Sequence, residues 1–181
     1  MIVVVGTVSA RTEGSTTRAS GYAAQVALAL AAAGESIEMV SKVGADAAGD
    51  AVVAELATAK IGHVALVRDG AQATASERDQ PLQMDTGDLQ LALRYLTSFD
   101  AVLLVDPVDD AAVATVLEAC TYVGARLVIT RPEGSPSVTA QTPALGENPP
   151  PLEVERPAGD PAAVTDLLVA LLIPDRESPA A

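Results

Sequence analysis

Short aliphatic runs alternate with longer stretches rich in Ala and Leu. The short runs, at residues 2–5, 37–40, 64–67, 101–105 and 126–129, are apolar without alternation, as expected of strands covered on both faces in a parallel sheet. The longer stretches, at 22–33, 47–59, 86–96, 111–122 and 161–172, carry helical spacing. Ser20 precedes the first, Asp85 and Asp88 open the third, and Asp109 or Asp110 opens the fourth, all suitable caps. Gly34, Gly62 and Gly124 stand where helices should stop. The order predicts a three-layer α/β/α sandwich, with a mainly parallel, doubly wound sheet joined by right-handed crossovers. No internal repeat is evident.

Two segments break the rhythm. Residues 68–83 are polar and without period, and 131–156 contain Pro132, Pro136, Pro143, Pro149, Pro150 and Pro151. The second is expected to be an extended connector without a core element. Residues 1–173 then form a single domain, with 174–181 a flexible tail. Tyr22, Tyr95, Phe99 and Tyr122 are the only aromatics, so the core must be built from Ala, Val and Leu.

Charge and rare residues narrow the function. With 24 acidic against 11 basic residues the net charge is −13, which repels phosphates and argues against nucleic-acid or anionic-membrane partners. One cysteine, Cys120, and one histidine, His63, permit no internal disulfide and no ordinary zinc site. His63 reads as a surface residue, and Asp106, Asp109 and Asp110 as a strand-end turn and helix cap; no metal site is expected. The N-terminus lacks a basic segment, and the longest apolar stretch, 26–33, is too short to cross a bilayer. A cytoplasmic, soluble protein is expected.

The residues that could carry chemistry begin with the turn Gly6-Thr7-Val8-Ser9, which follows the first strand where open α/β sheets bind ligands. Ser20-Gly21 then opens the first helix, with Gln25 inside it and Gly34 after it. Lys42-Val43-Gly44, Asp46 and Gly49 follow the next strand. In that loop Gly44 allows a turn, Asp46 caps a helix and Gly49 permits close helix–sheet contact. Near the end, Ala158-Gly159-Asp160 precedes another helix. Asp160 before Pro161 also reads as an ordinary N-cap with proline at the first helical position.

Together these motifs resemble those of the PfkB, or ribokinase-like, carbohydrate kinases. The likeness runs through residues 20–62, 99–132 and 145–172, with a lid and a central block removed. The resemblance implies that Gly21 and Gln25 contact substrate. It implies that the Ala158 and Gly159 amides form an anion hole, that Asp160 is the general base, and that Mg-ATP is the cofactor if the chain is a kinase. Several positions depart from the family pattern. Val154, Glu155 and Pro157 replace its Asp, Thr and first Gly, and Thr130-Arg131-Pro132 replaces Asp-Pro-Asn. The acidic substrate residue after the first strand has no counterpart in Ser9-Ala10-Arg11. The lid positions, 12–19 and 68–83, are short and polar, so the lid is absent or rudimentary.

The expectation is a degenerate member with weak or absent phosphotransfer and a small-molecule-binding or assembly role. A minimal, lidless ATP-dependent sugar or nucleoside kinase is the alternative. A self-associating α/β module, a homo-oligomer, is the third.

Overall fold

A computed structural model of the chain describes residues 1–105, 109–138, 150–156 and 165–172. Six strands form one parallel sheet: β1 (Ile2–Val5), β4 (Ile37–Gly44), β5 (Leu66–Asp69), β6 (Ala101–Val105), β7 (Arg126–Pro132) and β8 (Leu152–Arg156). Their order is β5-β4-β1-β6-β7-β8. In β1, Ile2 and Val4 face the core layer under α1 (Tyr22–Ala32), α2 (Ala47–Thr58) and α5 (Thr165–Leu172). Val3 and Val5 face the layer under α3 (Thr86–Arg94) and α4 (Asp110–Val123). Strand side chains alternate between faces, so an unbroken apolar run is what two covered faces require. The first half of the chain builds outward from β1 on one side and the second half on the other. Crossovers of one hand then place the two helix sets on opposite faces.

The loop into α2 performs the roles read from its sequence, with one change. Asp46 is the N-cap and accepts from Gly49 N–H at 2.8 Å. A Cβ on Gly49 would lie 2.2 Å from the Gly44 carbonyl oxygen, so only glycine lets the helix approach. Gly44 itself serves close approach rather than a turn, since its Cβ would meet Thr74 N at 2.4 Å.

Several boundaries differ from the sequence expectation, each for a local reason. The strand expected at 64–67 begins at Leu66, because the Val64 and Ala65 amides donate to the buried Glu38 carboxylate instead of to the sheet. The helix before Gly62 ends earlier, where Lys60 takes φ 60°. Ser20 does not cap α1: the N-cap is Gly21, and the Ser20 hydroxyl donates to Glu77 at 3.3 Å.

Two elements were not expected as strands. β2 (Ser9–Glu13) and β3 (Thr16–Ser20) form an antiparallel hairpin whose polar sequence conceals its pairing. It lies along α2, where Ala19 N–H donates to Glu55. The second is β8, which corrects the reading of 131–156 as a connector with no core element. It pairs in parallel with β7, with Arg131 opposite Glu155. Only one side of this edge strand needs a partner, so alternating charges suffice where an interior strand would need an apolar run.

Candidate functional site at the carboxyl edge of the sheet

β1 has β4 on one side and β6 on the other, and the connections leave it in opposite directions. Such a switch point opens a crevice at the carboxyl ends of the strands. Here Gly6, just after β1, stands at that point. A Cβ on this residue would lie 2.7 Å from that of Ala23 and 2.9 Å from that of Val105, so α1 and β6 converge directly on it. Gly21 completes the turn with φ 93°, and a Cβ there would stand 3.3 Å from the Thr7 carbonyl oxygen. The left-handed backbone and the close approach both select glycine.

The N-terminus of α1 differs from those of α2, α3 and α4. Those three are capped by Asp46, Asp85 and Asp109, each accepting a backbone N–H. α1 has no side-chain cap and no acidic residue in its first turn. Its positive end therefore faces the turn after β1 with no acidic group of its own first turn to offset it, a condition favouring oxygen-rich ligands. The Arg156 guanidinium, at the end of β8, lies 4.5 Å from the centre of the Tyr22 ring. This contact brings the last described residue before the Ala158-Gly159-Asp160 segment to the mouth of α1.

The other polar groups near this edge are committed elsewhere or sealed. Arg131 pairs with Glu153 at 3.0 Å and Glu155 at 3.1 Å, and also donates to the Ser135 carbonyl. Lys42 pairs with Asp88 at 2.7 Å and stands 3.8 Å from Asp69. The Asp88 hydrogen bond raises the Lys42 pKa against the opposing effect of burial. Thr130 is buried between Val105 and Val154 in register, and its hydroxyl has no hydrogen-bond partner among the described residues. At the opposite end of the strands, on the buried face of the last turn of α4, burial pushes the Cys120 thiol up to about 12, far from a nucleophile's range.

Of the residues singled out in the sequence, Gly21 and Gln25 fall together. They share the first turn of α1, where Gln25 N–H donates to the Gly21 carbonyl at 3.1 Å and the Gln25 side chain is exposed. Ala158, Gly159 and Asp160 lie outside the described residues. His63 is exposed, with Nδ1 3.3 Å from the Ile61 carbonyl oxygen. Among the described residues no cluster of His, Cys, Asp and Glu could hold a metal ion, and no helix is long and apolar enough to cross a membrane. The contact that sequence reading missed is Arg156 on Tyr22. Its only signal was an arginine ending a strand and a tyrosine opening a helix, 134 positions apart by number.

A doubly wound α/β/α sandwich, with its topological switch point beside β1, defines the class. No protein-family model matches the chain, and no curated protein matches it. Solved structures do. A putative ribokinase II from E. coli aligns with TM-score 0.57 at 12% identity, over 71% of this chain and 52% of that one. Halothermothrix orenii fructokinase aligns with TM-score 0.52 at 19% identity, over 75% and 61%. Arabidopsis thaliana ribokinase, complexed with ribose and ATP, aligns with TM-score 0.52 at 20% identity, over 72% and 53%. The chain thus has the ribokinase-like fold, and its structural neighbours are sugar kinases. It spans only about half to three-fifths of their length.

Proposed function

We propose that this protein binds a small polyhydroxylated ligand, of sugar or nucleoside type, at the carboxyl edge, with weak or absent phosphoryl transfer. The uncapped N-terminus of α1 at the switch point, set against the bare backbone of Gly21, carries the reading. Its amides offer hydrogen bonds to ligand hydroxyls, and exposed Gln25 adds both a donor and an acceptor. The likeness to a ribokinase solved with ribose and ATP supports the same ligand class.

Three features around the edge support weak transfer. The hairpin is tied to α2 through Glu55, so it is poorly placed to close over a ligand and exclude water. Arg131 is bound to two glutamates, which leaves it little capacity to neutralise a transferring phosphoryl group. In the sequence, Pro157 supplies no amide donor beside Ala158 and Gly159, the proposed anion hole. Asp160 would be the base and Mg-ATP the donor for whatever transfer remains.

A thermal-shift panel of ribose, fructose, nucleosides, ATP and ADP, with and without Mg²⁺, tests the proposal. A ligand present at a hundredfold excess over its Kd adds about 2.7 kcal/mol to stability. The expected result is a rise in Tm with a sugar or nucleoside that Gln25→Ala reduces. A flat response to the whole panel overturns the binding reading. Saturable, sugar-dependent ATP turnover abolished by Asp160→Asn overturns weak transfer and makes the chain a minimal kinase.

A further inference from the structure

At the amino ends of β6 and β7, opposite the ligand edge, a groove of about 620 Å³ runs between α3 and α4. Leu96 and Phe99, both buried, contribute to its floor. Arg94 stands on the α3 wall and Glu118 on the α4 wall, both exposed. Neither makes an ion pair with another described residue. Tyr122, 91% exposed, lines the α4 side, and Tyr95 and Leu91 on α3 are 65% and 52% exposed. In a chain with four aromatics, the most exposed described one, Tyr122, lines this groove.

We infer that this groove is a self-association surface, and that its occupant is a second copy of the same chain. A two-fold interface must be its own complement, because each contact of residue i with residue j occurs twice. Walls of one charge sign would repel their copy. Walls carrying one arginine and one glutamate satisfy the requirement, with Arg94 of one protomer facing Glu118 of the other. The patch is locally neutral on a molecule of net charge −13, so this pairing brings no like-charged residues of the lining together. Tyr122 supplies the projecting side chain and the partner's groove the apolar seat; tyrosine and arginine are the residues most often central to such contacts. Pairing at the amino ends leaves the carboxyl edge open. The inference therefore stands or falls independently of ligand binding.

Sedimentation velocity from about 1 μM to about 1 mM, at about 0.15 M salt, tests the inference. The expected result is a monomer–dimer equilibrium whose midpoint moves at least tenfold to higher concentration in both Tyr122→Asp and Arg94→Glu. Combining Arg94→Glu with Glu118→Arg should restore the wild-type midpoint. All three positions are exposed, so the melting temperature of dilute monomer should not move. A wild-type monomer throughout the range overturns the inference. So does a dimer indifferent to Tyr122→Asp, or a charge swap no better than Arg94→Glu alone.

Discussion

The carboxylate of Asp46 accepts from the Thr74 hydroxyl at 2.7 Å, and from the Gly49 and Thr74 amides at 2.8 Å each. These bonds, the Thr74 hydroxyl first, hold its pKa below the usual carboxylate range. A carboxylate depressed in the folded state adds stability above its unfolded pKa, and that stability is lost as pH falls through the folded value. Asp46→Asn should therefore cost about 1–2 kcal/mol at neutral pH. The difference from wild type should shrink as pH falls through and below the ordinary carboxylate range, as urea unfolding at several pH values would show. Thr130 predicts the opposite sign. A buried hydroxyl without a partner costs stability, so Thr130→Val, of nearly the same shape, should raise stability by about 1 kcal/mol in the same assay. The Asp46 cap was legible because Asp before a helical run has one common use. The glycine N-cap of α1 was not, because Ser20 offered the better cap by type and only the fold sends its hydroxyl to Glu77.

Among the elements, those buried on both faces were the legible ones. IVVV of β1 and AVLLV of β6 are apolar throughout because each side chain meets a helix layer. SARTE and TTRAS of the hairpin, and LEVER of β8, show no such run, since each strand has a face or an edge in water. What holds β8 is cross-strand chemistry. Arg131 is 15% exposed and Glu153 12% exposed, so this pair is well shielded from solvent. Arg131→Met should leave both glutamates without their cation and destabilise the edge by about 1–3 kcal/mol. Hydrogen exchange should then show amides of β8 losing protection while those of β1 and β4 keep theirs, because an edge strand opens before a central one.

At the level of the molecule, alternating strands and helices were enough to read a doubly wound sandwich. They did not show which strand lies at its centre. That depends on the direction of each crossover, which hydrophobic pattern does not encode, and the hairpin inserted after β1 further obscured the count. The candidate site was legible in part for the same reason. Gly21 and Gln25 are near neighbours in the chain, whereas the approach of Arg156 to Tyr22 requires the whole sheet to be assembled.

The position of β1 also governs the order in which the fold can form. β1 comes earlier in the chain than both strands that flank it: Ile2 pairs with Ile37 on one side and with Ala101 on the other. As the polypeptide grows from its amino end, β1 can acquire its first neighbour early. Its second flank stays open until residues 101–105 exist. Through that interval one row of main-chain donors and acceptors in a highly apolar strand is unsatisfied, ready to pair with any extended segment it meets. The architecture that sets β1 at the switch point thus also leaves this strand exposed to mispairing in the nascent chain, and parallel pairings at long sequence separation close slowly.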